Sequence, residues 1–155
     1  MKEHHLLLLT GSATPGFERE PIHVEPLGGS RYRVMYTPGL VYGIAAGDEI
    51  EAAESEGTFR VLERGGNVAV RVLSEEPLGE LPEILAAEVS HQLGGTLDGR
   101  LNRGAAFTVP IKVGFSRIES LLASFVSKHP GTLWEYGNIY DENNQPLDWW
   151  KEFNV

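Results

Sequence analysis

The hydrophobic rhythm of this chain changes once, near Val72, and that change decides what the chain can fold into. Before it, apolar residues alternate by twos: Ile22 and Val24, then Tyr32, Val34 and Tyr36 against Arg31, Arg33 and Met35, then Phe59 and Val61 against Arg60 and Leu62, then Val68, Val70 and Val72. Alternation puts one set on each face of a strand. The stretches between the sets carry turn chemistry: Gly28-Gly29-Ser30, Pro38-Gly39, Ala46-Gly47-Asp48 and Gly65-Gly66-Asn67, where Gly supplies backbone conformations other residues resist. Val41 to Ile44 is a further apolar segment between two of these corners, and residues 10–21 read as a loop after a short first strand. The first 75 residues therefore predict an all-β unit. Short twisted strands with Gly at the corners predict a small, partly open barrel.

After the change, apolar residues recur at helical spacing. Leu81, Ile84, Leu85, Val89 and Leu93 form one stripe, with Pro82 in the first turn and Gly94-Gly95 as the stop. Thr96–Leu101 and Ala106–Val113 predict a hairpin. A second helix is expected from Ser116, with Glu119 completing a capping box, a stripe of Ile118, Leu121, Leu122, Phe125 and Val126, and Pro130-Gly131 as its end. Leu133 to Tyr140 reads as a last strand. Counted from Val68 the order is strand, helix, strand, strand, helix, strand, the ferredoxin-like plan, in which both helices cover one face of an antiparallel sheet. The expected fold class is α+β: a β-barrel-like lobe over residues 1–66, a ferredoxin-like βαββαβ lobe over 67–140, and an aromatic, acidic tail over 141–155. The Gly65-Gly66 turn is too short for a linker, so the lobes are expected to fold together.

Composition narrows the function classes. A chain of 155 residues fits one domain or two small lobes. It has no Cys, which excludes disulfides and thiolate metal sites. Its net charge of -9 sets up a repulsive field toward nucleic acid. The acid is concentrated: Asp48, Glu49, Glu51, Glu54 and Glu56 fall in residues 47–57, and Glu75, Glu76, Glu80, Glu83 and Glu88 in residues 75–88, with no Lys or Arg in either run. Residues 89–118 are the exception, where Arg100, Arg103, Lys112 and Arg117 outnumber Asp98; they read either as solvated arginines or as a seat for a small anion. The early apolar run Leu6–Leu9 is far shorter than a signal-peptide core or a membrane span. The expectation is a cytoplasmic protein with neither nucleic acid nor membrane as partner.

The segment RVMYTPGLVYGIAAGDEIEA is the most distinctive. Asp48, at its second corner, is either a turn-capping carboxylate or a base or ligand at a barrel mouth. The histidines do not assemble a metal motif: His4 and His5 are adjacent, while His23, His91 and His129 fall on separate elements. Ser12 lacks a G-x-S-x-G setting, and the Gly pairs precede no helix with a phosphate-binding Lys. No catalytic residue, cofactor or metal is predicted.

Tyr32 to Val34, Pro38, Gly43 to Asp48 and the Arg-bearing strand and Gly-rich return over Arg60 to Arg71, together with the closing LWEYG, follow a recognisable pattern. The chain resembles, over about residues 20 to 140, an uncharacterised family of small bacterial proteins classed only as a domain of unknown function. The resemblance implies the two-lobe fold and a bacterial context, and carries no established activity.

Two functions from different classes remain. The tail places Asp148, Trp149, Trp150 and Phe153 in a polar segment. Such aromatics either fold back over the sheet or serve as a docking patch. In the preferred reading they join the acidic surface in a non-enzymatic module that binds a basic protein, in an immunity or antitoxin-like role. The alternative is a small-anion or enzyme site in the crevice between lobes, built from Arg60, Arg71 and Arg100 with Asp48 as the carboxylate.

Overall fold

The computed structural model describes residues 4–155, which form two antiparallel sheets and two helices. The first sheet is a meander of β1 (His4–Leu9), β2 (Arg19–Gly28), β3 (Arg31–Val34), β4 (Glu49–Ala53) and β5 (Thr58–Glu63), paired in chain order. Its register places Leu6 opposite Ile22, Val24 opposite Val34, Tyr32 opposite Ile50 and Ala52 opposite Phe59. These residues line the inside of a curled sheet, and Val41 and Ile44, fully buried, complete the core from a segment that belongs to no strand.

The sheet does not close into a barrel. Its edge strands β1 and β5 approach, and the Leu9 amide donates to Gly57 O at 2.8 Å, but no ladder joins them. Arg19 spans the gap instead, donating to Leu7 O (3.2 Å), Ser55 O (3.3 Å) and Glu56 O (3.2 Å).

The second sheet comprises β6 (Asn67–Ser74), β7 (Thr96–Leu101), β8 (Gly104–Pro110) and β9 (Thr132–Tyr136), in the spatial order β7-β8-β6-β9. Helices α1 (Leu81–Leu93) and α2 (Phe115–Lys128) follow β6 and β8 respectively. Leu85, Val89 and Leu93 of α1 and Ile118, Leu121, Leu122 and Phe125 of α2 share one core with Val68, Val70, Val72, Phe107 and Val109. Both helices therefore cover the same face. Each fully buried aliphatic or Phe side chain contributes about 1.5–3 kcal/mol, so the stripes outweigh the modest intrinsic preference of their sequences. Gly94, at φ 67°, ends α1 as its position predicts.

The second helix starts differently from expectation. It begins at Phe115 after Gly114, and no side chain caps it. Glu119 does not close a capping box with Ser116; its carboxylate accepts a hydrogen bond from the Tyr136 hydroxyl at 2.8 Å. The last strand is shorter than the alternation suggests, because Asn138 leaves the ladder for side-chain pairing. It accepts from the Ala69 amide (2.8 Å) and donates to Asn67 O (2.9 Å). No helix among the described residues is long and apolar enough to cross a membrane.

The second sheet turns its other face, bearing Ala69, Arg71, Ala106 and Thr108, toward the first sheet, and all four are buried. The chain between β3 and β4, residues 35–48, fills the junction. Near its end two backbones cross: a Cβ on Gly65 would lie 2.5 Å from the Gly47 carbonyl carbon, so only glycine permits the approach.

Candidate functional site

A segment without ladder partners must satisfy its backbone groups elsewhere, and residues 35–48 do so with charged side chains from both sheets. Glu20 continues the inward phase of β2, in line with Ile22 and Val24 and opposite Leu8. Its carboxylate accepts three consecutive amides, Gly39 (2.8 Å), Leu40 (2.9 Å) and Val41 (2.8 Å). From the other side Arg71 donates to the carbonyls of Leu40 and Val41. The loop is thus held between an anion on its amides and a cation on its carbonyls.

Arg71 is 2% exposed, and its guanidinium lies 4.3 Å from the centre of the Tyr42 ring. Burial pulls its pKa down, against the upward pull of Tyr42, Glu135 and Glu20. Its Nε donates to no acceptor among the described residues. Burial likewise pushes the Tyr42 hydroxyl up, assisted by the Glu135 carboxylate 2.6 Å away.

Next to this loop the two sheets separate into a cleft of about 530 Å³. One wall presents Phe17, Ile22, His23 and Tyr36; the other presents Leu73, Gly99, Leu101 and Ala106; Thr37 to Leu40 form the floor. Strand register places Leu101, Gly104, Leu73 and Leu133 in one row across β7, β8, β6 and β9, so the apolar wall continues past the cleft. Phe17, Tyr36 and Leu101 are 45%, 44% and 54% exposed, which leaves the mouth apolar and open.

The floor is fixed by a polar network. Asp98 accepts from the Thr37 amide (2.8 Å) and the hydroxyls of Thr108 (2.5 Å) and Thr96 (2.6 Å), and the Thr37 and Thr108 hydroxyls are 2.7 Å apart. These bonds tie the two sheets together and rigidify the base of the cleft.

The four residues singled out for an anion site are not gathered in one place. Arg71 and Arg100 line the cleft. Arg100 also donates to Glu83 and, at 2.7 Å, to Gly79 O, which anchors it to the start of α1. Arg60 lies away from the cleft, paired at 2.9 Å with Glu51 across β4 and β5. Asp48 is fully buried. It accepts from the Ala45 amide (3.0 Å), the Gly65 amide (2.9 Å) and Arg64 Nη1 (3.3 Å), so it holds the backbone crossing together. Burial raises its pKa, opposed by those same three partners.

The tail is a short 3-10 turn, Trp149–Phe153, against the helix-side core. Trp149 is 8% exposed, donates to Asn138 O at 2.8 Å and lies beneath the Arg64 guanidinium. Trp150 is half-buried, with its ring 5.1 Å from that of Phe115. Phe153 packs on Gly66, and Asp148 is exposed, 3.6 Å from Lys151. The histidines meet where the sequence gives little sign of it. Register puts His5 opposite His23, with ring centres 4.2 Å apart. Among the described residues no three His, Cys, Asp or Glu come together to hold a metal ion.

Sequence reasoning missed Glu20, Asp98 and Asn138. Glu20 had a legible signal, a carboxylate in the apolar phase of a strand, whereas the other two depend on partners brought in by the fold.

Fold and site together define a two-sheet α+β protein with an open cleft where the sheets meet. The chain belongs to the family described as Domain of unknown function (DUF4265), whose family model matches residues 20–132. No curated protein matches it. Among solved structures it is similar to a hypothetical protein from Neisseria gonorrhoeae, described as a novel crystal structure, with a TM-score of 0.67 at 13% identity, covering 88% of this chain and 95% of that one. At that identity the likeness is one of fold. The family match begins at Glu20 and includes Arg71 and the whole cleft floor, while Trp134 and the aromatic tail lie beyond it.

Proposed function

We propose that this chain is a small-molecule-binding protein whose ligand, an organic anion with an apolar body, lies in the cleft between the sheets. One observation carries this reading: the charge of the cleft runs opposite to that of the chain. Its lining holds Arg19, Arg71 and Arg100 against Glu20 and Asp98, in a protein of net charge -9. Arg19 and Arg71 donate to backbone carbonyls and make no ion pair with a carboxylate among the described residues, whereas Arg100 is paired with Glu83. Apolar walls with a few convergent polar groups are the usual make-up of a small-molecule site. The strand order of the second sheet supports the ferredoxin-like plan for residues 67–140, a scaffold that leaves one sheet face free to form a wall.

Recognition of a basic protein by an acidic surface has less support. Glu49 pairs with Arg31 (2.9 Å) and Arg33 (3.2 Å), Glu51 with Arg60, and Glu54 with the Tyr32 hydroxyl (2.6 Å), so much of the first acidic run is answered locally. Trp149, the largest candidate anchor, is committed to the core.

The test is a screen of aromatic and aliphatic carboxylates, such as benzoate and octanoate, by thermal shift and by amide chemical shifts. Binding that moves the resonances of Phe17, Tyr36 and Leu101 is expected, and it is lost in Leu101→Glu, which adds an anion at the mouth and leaves stability within about 0.5 kcal/mol. Absence of any such shift, or unchanged binding in Leu101→Glu, refutes the assignment.

A further inference from the structure

We propose that the amides of Gly39, Leu40 and Val41 are the head-group site of the cleft, a built carboxylate receptor that Glu20 fills from within the chain and that an incoming carboxylate takes over. This rests on the reading of the cleft as a ligand site and names the group that the ligand must carry.

Three features of the geometry point there. Three successive amides converge on one carboxylate, the concave arrangement that binds anions without any side chain. Arg71 donates to the carbonyls of Leu40 and Val41; the first belongs to the same peptide group as the Val41 amide, which it polarises and strengthens as a donor. Arg71 is also more than nine-tenths buried and forms no ion pair with a carboxylate among the described residues, so the loop backs onto a buried cation. Glu20, by contrast, is half-buried and lines the open cleft, where it has room to swing away.

Exchange is chemically even. The ligand carboxylate accepts the same three charge-assisted bonds that Glu20 gives up, so the apolar body along Tyr36 and Leu101 supplies the net affinity. The amides thus set which functional group is accepted, and the walls set which molecule.

The experiment removes the internal occupant and offers a replacement. Glu20→Ala and Glu20→Gln are titrated with sodium acetate against an equal concentration of sodium chloride, following the amide resonances of residues 39–41 and the thermal midpoint. Acetate is expected to bind Glu20→Ala most tightly, Glu20→Gln less, and the wild type at least about tenfold more weakly than Glu20→Ala, since charge-assisted hydrogen bonds are the strong ones. If Glu20→Ala does not fold, the order of Glu20→Gln over wild type carries the same test. An acetate response no larger than that to chloride, a response away from residues 39–41, or equal affinities overturn the head-group site. Octanoate separates this proposal from the one beneath it. If it moves residues 39–41 in Glu20→Ala but never Phe17, Tyr36 or Leu101, the head-group site stands and the cleft reading falls. Shifts on the walls alone give the reverse.

Discussion

Replacing Asp48 by Asn removes one negative charge from the interior while preserving side-chain size. Asp48 is fully buried and accepts two backbone amides and one guanidinium. Asn keeps one acceptor oxygen, so one of the Ala45 and Gly65 amides then faces an NH2 group. A buried donor left without an acceptor costs about 1–3 kcal/mol. Arg64, whose side chain is 14% exposed, also loses its counter-charge and keeps only Gly43 O at 2.7 Å and the Trp149 ring. Breaking a buried pair by removing one partner costs about 3–5 kcal/mol in total. In a domain of this size that corresponds to a fall in Tm of about 6–20 °C. Guanidinium chloride unfolding of wild type and Asp48→Asn measures the difference directly. In a double-mutant cycle, Arg64→Met is expected to cost less in the Asp48→Asn background than alone, because the unpaired cation is gone. A loss below about 1 kcal/mol, or additive costs in the cycle, refutes the claim that this pair holds the crossing.

Three further perturbations probe other contacts. Gly65→Ala drives a Cβ into the Gly47 backbone and is expected to cost about 3 kcal/mol or more, against about 0.5 kcal/mol for Gly99→Ala, which meets nothing; urea midpoints compare the two. Trp149→Ala is expected to cost about 3–5 kcal/mol, and Trp149→Phe less, since the ring stays while the bond to Asn138 O goes; calorimetry reads both. Burial, helped by the Glu119 carboxylate, pushes the Tyr136 hydroxyl above the ordinary tyrosine range. The folded state therefore keeps that proton after the unfolded chain releases it, so this contribution is complete below about pH 10 and falls as pH rises further. Tyr136→Phe is expected to flatten the alkaline decline measured by urea unfolding; an unchanged slope counts against the buried hydroxyl.

What the sequence made legible was periodic. The α1 stripe, the Gly94 stop and the common face of the two helices all follow from spacing, because burial of a stripe leaves its period in the chain. Ile84 shows the limit: it fits the helical stripe but is 53% exposed. Whether the first sheet closes was not legible, because alternation describes the faces of a strand and says nothing of whether the first and last strands pair. Ser116 and Glu119 have the spacing of a capping box, yet tertiary contact gave Glu119 to Tyr136. The acid run around Glu49 looked exposed because its counter-charges, Arg31 and Arg33, come from a neighbouring strand. For the candidate site the sequence offered Arg71 and Arg100 by charge alone. It did not reveal that Arg71 and Glu20, 51 positions apart, grip one loop from opposite sides.

Arg19 carries a consequence for how this protein behaves in concentrated solution. The seam between β1 and β5 is buckled by one guanidinium over three carbonyls, beside an edge where Leu7 and Leu9 are exposed. An unbuckled seam is a sticky ribbon, ready to stack on its like. Arg19→Ala is therefore expected to scatter light and pellet at millimolar concentration well before its melting temperature betrays any weakness. Solubility and folding would then rest on different side chains, with Arg19 serving the first far more than the second.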